Sequence, residues 1–428
     1  MDGLLPKTNM LRPNIYERIL LIAGLAGYFL LLLITLLHWQ QPLFDEPYFI
    51  SNVHLLKQYG LSRTFLLNID NQAAGPLYQF VHYALEPVTG LQTPGIRLVN
   101  TVMLLIIILL LTGIIRKMQR RVKKSAWLPA LHIMAVPMIW QVAGMALTEI
   151  PAIFFATLSI WLLQLALDYT RKPWALGIFL SLQAGFCLGL AALGRSPFVM
   201  IVPAALLLLL QSAGEWKRWV IVSIYMGVAL LCCIPVFVIW GGFIPPKQAV
   251  MSTGGIMHWH GILAFAYSAL IVFIVAPGWF AYNRPTLLAL IGLFVIVLPL
   301  NYFWLQAEYA PLNEGLQKIF PAAVVQPSSY FISSMLIVIA LYFLYSAFLQ
   351  WMERRTEPFF LFLLLATLLI LVTGFKTPFF SFRYAALVAP LFIVLLAPYI
   401  QASREQCARY AAGMIIGLLS LETYFLFR

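Results

Sequence analysis

The 428-residue chain is 62% hydrophobic and 10% charged, with a formal net charge of +12. Soluble domains carry about 25% charged residues, so water is excluded as the solvent for most of this surface and lipid takes its place. The apolar runs do not alternate with polar residues, which excludes a membrane β-barrel and leaves α-helices to satisfy every backbone group in hydrocarbon.

A bilayer core of about 30 Å needs about 20 apolar residues per helix. Runs of this kind predict about thirteen spans, near residues 18–38, 96–115, 127–147, 149–167, 174–193, 197–211, 219–240, 260–281, 286–303, 330–349, 359–373, 384–400 and 409–427. The expected fold is all-α and polytopic, a single membrane domain over residues 1–428 without a soluble domain or internal repeat. The 197–211 and 359–373 runs are short, which predicts tilt, a break or partial re-entry. The first run is followed by Leu37-His38-Trp39-Gln40, not by a small-residue cleavage site, and reads as an uncleaved signal anchor.

Cations mark every second loop. Arg116, Lys117, Arg120, Arg121, Lys123 and Lys124 crowd one, and Arg171/Lys172, Lys217/Arg218, Arg284, Arg354/Arg355 and Arg404/Arg409 mark the later ones. With Lys7, Arg12 and Arg18 ahead of the first span, the N-terminus and these loops are assigned to the cytoplasm. The positive charge thereby has a topological explanation, and nucleic acid is set aside as a partner. Cys187, Cys232, Cys233 and Cys407 have neither disulfide nor zinc spacing and read as packing residues.

Long segments fall on the outer side at 39–95, 241–259 and 304–329, where function is expected. In the first, Phe49, Val53 and Leu56 with Ile50 beside them predict an interfacial helix over 48–59. A second is predicted to start at Gly75-Pro76, with Leu77, Phe80 and Ala84 on one face.

Outward acids are scarce: Asp45, Glu46, Asp70, Glu86, Glu149, Glu308 and Glu314. Asp45 and Glu46 stand where a carboxylate meets both a lipid headgroup and a hydroxyl arriving from water; equally, one of them serves as a helix cap. Glu149 lies in the sharp reversal Leu147-Thr148-Glu149-Ile150-Pro151, where a carboxylate needs a partner or a task, or caps a helix. Arg195 occupies the outer reversal two spans later, either snorkelling or binding an anion. Lys376 and Arg383 flank Thr377-Pro378-Phe379-Phe380-Ser381-Phe382, followed by Tyr384, an edge that suits a lipid phosphate or interfacial anchoring. His258 and His260 lack the neighbours that complete a metal site, which leaves hydrogen bonding, a proton relay or a place at the interface.

In this order the features resemble the polytopic GT-C glycosyltransferases, which take sugars from polyprenyl-phosphate carriers on the extracytoplasmic or lumenal side. Within them the chain is most similar to the dolichyl-phosphate-glucose α-1,2-glucosyltransferases. The resemblance runs through Phe44-Asp45-Glu46, Gly75-Pro76-Leu77-Tyr78, Arg97-Leu98-Val99-Asn100, Thr148-Glu149, Gly194-Arg195, Trp240-Gly241-Gly242, His258 and Phe382-Arg383-Tyr384. The Gly-Asp that follows the family's Asn-Gly-Gly is missing, with Pro245-Pro246-Lys247 near its place. The chain is shorter than the eukaryotic enzymes, in keeping with a bacterial inner-membrane relative with a different acceptor.

The resemblance implies transfer of one sugar, glucose before other hexoses, from a polyprenyl-phosphate donor to a glycan or lipid-linked acceptor, with inversion and without metal or cofactor. Asp45 would be the general base. Arg383, Lys376 and Arg195 would hold the donor phosphate, while Glu46, Glu149, His258 and His260 would serve the acceptor side. The rival classes are a lipid-linked oligosaccharide polymerase or ligase, and a flippase or transporter. The latter should carry its ionisable residues mid-membrane instead of at span ends.

The alternation of charge predicts that Ser125 is cytoplasmic and Asn68 external. Single cysteines at these positions in intact cells should react with an impermeant thiol reagent at 68 and not at 125; the opposite pattern would overturn the topology.

Overall fold

A computed structural model describes residues 14–71, 73–119, 125–170, 173–211, 214–248, 255–309, 317–318, 320–377 and 380–426. Lys7, Arg12, Arg120, Arg121, Lys123, Lys124, Arg171, Lys172, Glu314, Pro378 and Phe379 lie outside them. The order of helices is α1 (Ile15–Leu37), α2 (Glu46–Tyr59), α3 (Arg63–Asn68), α4 (Leu77–Thr89), α5 (Gly95–Met118), α6 (Trp127–Leu131), α7 (Pro137–Gly144), α8 (Glu149–Asp168) and α9 (Trp174–Gly194). Then follow α10 (Ile201–Leu210), α11 (Trp216–Trp240), α12 (His258–Val275), α13 (Arg284–Leu300), α14 (Ala322–Glu353), α15 (Pro358–Val372), α16 (Ala389–Leu396) and α17 (Arg404–Leu426).

Among the described residues, ten helices are long and apolar enough to cross a membrane, or eleven when a bent pair is counted as one span. The protein is therefore a multi-pass membrane protein, and all-α among the described residues. Two expected spans fall outside that set. The 197–211 run is a short helix over Ser196–Leu210. α17 is the second; it carries Arg404, Glu405, Arg409 and Glu422, and on its inner face Gln406 and Tyr410 donate to neighbouring backbone carbonyls.

The span expected over 127–147 is a pair of helices bent by 80°. Pro137 removes an amide and cannot continue the helix, so α6 and its 3-10 extension His132–Ala135 stop and α7 restarts. The freed Met134 carbonyl accepts from the buried Trp140 indole at 2.8 Å, which lets the break survive in the core. The third outer segment is also more helical than expected, since α14 begins at Ala322.

The first outer segment folds into three helices. Phe49, Val53 and Leu56 of α2 are buried, as their spacing predicts. The unforeseen α3 is tied down by Ser62, which caps it, and by the Trp240 indole, which donates to the Leu66 carbonyl at 2.8 Å. On α4 the buried face is Leu77, Tyr78, Gln79 and His82, not Leu77, Phe80 and Ala84, because polar rings and an amide are turned inward. Gly75 makes a close backbone approach: its amide donates to the Gly194 carbonyl at 3.3 Å, and a Cβ there would collide with the Leu193 carbonyl. This pins the entry to α4 on the end of α9, next to Arg195.

His82 stacks on Tyr78 with ring centroids 4.0 Å apart, and burial lowers its pKa from 6.5 to about 3. Its folded-state value is depressed, so the folded form binds fewer protons than the unfolded form between those limits. Stability is complete above about 6.5 and is lost as pH falls below it, by up to about 1.4 kcal/mol per unit. Replacement His82→Phe keeps the stacked ring and should flatten the decline in melting temperature between pH 6.5 and 5 in detergent; an unchanged decline would rule His82 out as its source.

Candidate functional site

The two adjacent acids after α1 have different fates. Glu46 is fully buried, and Arg97 of α5 grips it with two parallel bonds, Nε to Oε1 at 2.9 Å and Nη2 to Oε2 at 2.7 Å. Oε1 also accepts from the Ala146 amide and Oε2 from the Leu43 amide, each at 2.8 Å. Arg97 spends its remaining arm on the His38 carbonyl at 2.7 Å. With these donors in place Glu46 has no face toward a ligand, and the structure does not bring this expected acceptor residue to the site.

Asp45 turns the other way. Its carboxylate makes no capping hydrogen bond to α2, which removes the helix-cap reading. Instead Arg383 Nη2 donates to Asp45 Oδ2 at 2.8 Å, across 338 residues of chain. Glu149, buried at the start of α8, uses Oε1 for Arg195 Nη2 and lies 3.5 Å from Arg383 Nε. Its Oε2 has no hydrogen-bond partner among the described residues. Asn100 holds the turn before Glu149 by donating to the carbonyls of Met145 at 2.7 Å and Leu147 at 2.9 Å.

Asp45, Glu149, Arg195 and Arg383 thus form one cluster of two carboxylates and two guanidiniums. Beside it lies a cavity of about 290 Å³ lined by Arg195, Arg383, Lys376, Ser381 and Tyr384, with Ile370, Leu371 and Leu387 on its apolar side. The cluster's charges balance, while Lys376 has no ion pair among the described residues. Among the described residues, its ammonium is the uncompensated charge of the lining.

The histidines take a supporting place. His260 Nδ1 lies 2.5 Å from the Thr377 carbonyl and its ring is 6.0 Å from Phe380, so it braces the segment that carries Lys376. His258 is exposed at the start of α12, and neither histidine lines the cavity. Among the described residues, no three of His, Cys, Asp and Glu gather as a group that could hold a metal ion.

A polar network reaches the cavity through Ala73. Asn52 donates to the Asp70 carbonyl at 3.0 Å and to Asn71 Oδ1 at 2.9 Å, and Asn71 donates to Gln79 Oε1 at 2.7 Å. Gln248 of the second outer segment reaches across to Asp70 and to the amide of Ala73, which lines the cavity. Trp240-Gly241-Gly242 is structural here, with Gly241 ending α11 at φ 68°, a left-handed turn that suits glycine.

Arg97, Asn100 and Tyr384 belong to the sequence pattern without a role assigned by it. One signal was available, an arginine and an asparagine early in an apolar span, each requiring a buried partner.

Residues 73–240, less than half of the chain, match the family described as dolichyl-phosphate-mannose-protein mannosyltransferase. No protein of curated function matches by sequence. An oligosaccharyltransferase structure from Archaeoglobus fulgidus, in complex with zinc and sulfate, superposes with a TM-score of 0.50 at 14% identity, covering 95% of this chain and 52% of that one. The structure of ArnT from Cupriavidus metallidurans bound to undecaprenyl phosphate has a TM-score of 0.39 at 12% identity, with 87% and 77% covered. The fold is a polytopic all-α membrane fold, shared with the archaeal oligosaccharyltransferase over about half of that protein's length.

Breaking the buried Glu46–Arg97 pair leaves an uncompensated charge, which costs about 3–5 kcal/mol. Replacements Arg97→Met and Glu46→Gln should each lower the melting temperature of the purified protein steeply. A wild-type melting temperature for Arg97→Met would show that the pair does not hold the fold.

Proposed function

We propose that this chain is a membrane glycosyltransferase that moves a single sugar, glucose before other hexoses, from a polyprenyl-phosphate donor to a glycan or lipid-linked acceptor. In this reading residues 1–428 work as one membrane domain in a bacterial inner membrane, with the N-terminus cytoplasmic and the site on the outer face. The observation that carries the proposal is the convergence of three distant stretches of chain beside one cavity: Arg195 and the segment bearing Lys376 and Arg383 line it, and Asp45 joins them through its ion pair with Arg383. The shared fold and the family likeness over residues 73–240 support the same direction.

The chemistry is one displacement. As the acceptor oxygen attacks the anomeric carbon, its proton passes to Asp45, and the bond from that carbon to the phosphate oxygen breaks, its electron pair leaving with polyprenyl phosphate. The configuration inverts. The leaving group is a stable anion, so the reaction needs cations more than an acid. Lys376 attracts the phosphate, and Arg383 and Arg195 then hold its oxygens, with Glu149 orienting both guanidiniums. Because Asp45 and Glu149 already offset the two arginines, the lining carries one spare positive charge, which matches a sugar phosphodiester better than a diphosphate. These cations do the electrostatic work of a divalent ion.

The test is a panel of polyprenyl-monophosphate glucose and mannose and diphosphate-linked sugars, incubated with the purified full-length protein with and without chelator. Consumption of a monophosphate sugar one unit at a time, insensitive to chelator, is expected. Block transfer from a diphosphate carrier would replace the reading with a polymerase or ligase, and translocation without transfer would replace it with a flippase. Loss with chelator that a divalent ion restores would remove the metal-independent part.

Within that assay Asp45→Asn keeps the size of the side chain and should lower turnover about 100-fold or more, the usual worth of a positioned general base, while donor binding persists. An active Asp45→Asn protein would move the base elsewhere, with Glu149 next in line.

A further inference from the structure

The cluster has a member that neither the charges nor the proposed chemistry uses. Tyr384 lines the cavity beside Arg383, and its ring lies under both guanidiniums, 5.7 Å from Arg195 Cζ and 5.9 Å from Arg383 Cζ. An aromatic face attracts a cation within about 6 Å, more strongly where water is excluded. Here one ring serves two cations of like charge. Their other common partner is Glu149 Oε1. The Nε of Arg195 and of Arg383 lack a good hydrogen bond, so neither fork is oriented by a full set of partners.

The ring is itself held. Phe380 stands edge-on to it at 6.3 Å, Phe380 stacks on Tyr267 at 5.9 Å, and the Tyr384 amide donates to the Ser381 carbonyl at 2.9 Å. Two repelling guanidiniums therefore share one fixed ring and one fixed carboxylate, which sets the spacing between them.

We infer that Tyr384 is a positioning residue that holds Arg195 and Arg383 as a matched pair of forks for one phosphate. The inference rests on the reading of these arginines as the phosphate site. The ring carries the role; the hydroxyl makes no part of it. A bare apolar side chain offers no π face, whereas a phenyl ring keeps both the face and the packing.

The probe is undecaprenyl phosphate, with its dissociation constant measured on the full-length protein in nanodiscs by native mass spectrometry. Replacement Tyr384→Leu should weaken binding about tenfold, equivalent to about 1.4 kcal/mol, and Tyr384→Phe should restore it to within about twofold of wild type. Melting temperature is read alongside, and Tyr384→Leu should lose binding without a matching loss of stability.

Arg383→Ala separates the two levels. If Arg383→Ala binds the lipid as well as wild type, the phosphate reading of the site fails. If Arg383→Ala loses binding and Tyr384→Leu does not, this inference fails and the site reading stands. Equal loss in Tyr384→Phe and Tyr384→Leu would assign the effect to the hydroxyl and also overturn it.

Discussion

The structure depends on a buried ion pair. Glu46 and Arg97 are both fully removed from solvent, where a lone charge is costly, and each is acceptable only because the other meets it through two parallel hydrogen bonds. The pair reaches further than two residues. Through Leu43 it closes the turn that presents Asp45, through His38 it fixes the end of α1, and through Ala146 it holds the chain leading into Glu149. Three segments that supply the site are thus tied to one guanidinium and one carboxylate, so the site inherits the rigidity of the core instead of the mobility usual in loops.

The cluster beside the cavity is organised differently. Asp45 and Glu149 share Arg383, and Glu149 also holds Arg195, so each charge has a partner while the cavity stands open beside them. Hydrogen-bonding capacity is left over, on Glu149 Oε2 and on the two guanidinium Nε atoms. A saturated pair such as Glu46–Arg97 can only support, whereas an unsaturated cluster lining a cavity can exchange partners. The adjacent acids Asp45 and Glu46 separate these duties because neighbouring positions at the start of a helix point in different directions.

Most of the spans were legible because bilayer thickness demands long apolar runs, and those runs are unmistakable in a chain of this composition. The break at Pro137 was not, since the residues on both sides are as apolar as any span and only the buried Trp140 contact shows that the freed carbonyl is satisfied. The inward face of α4 was misjudged for a related reason: hydrophobic periodicity ranks Phe80 and Ala84 above His82 and Gln79, yet polar side chains can be buried where a network or a stacked ring receives them. At the site, sequence order placed Asp45, Glu149, Arg195, Lys376 and Arg383 at outer span ends, and the structure brings them together. What order could not supply was pairing. Nothing local links Asp45 to Arg383 or Glu46 to Arg97, because those contacts are made by helix packing across the bundle.

Charge conservation constrains how an anion enters such a site. Arg383 and Arg195 are neutralised by carboxylates before any ligand arrives, so a phosphate held by Arg383 has to replace Asp45 on that guanidinium or share it. Replacement leaves the number of ion pairs around Arg383 unchanged and frees the carboxylate oxygen that the guanidinium had occupied. In the proposed reading the initial attraction comes from Lys376, the lining cation without an ion pair among the described residues. The cavity's apolar side adds low dielectric next to these charges, which strengthens the attraction and raises the cost of an unmatched second negative charge. A cluster that is balanced at rest and short of one anion beside it is therefore tuned to ligand charge as much as to ligand shape.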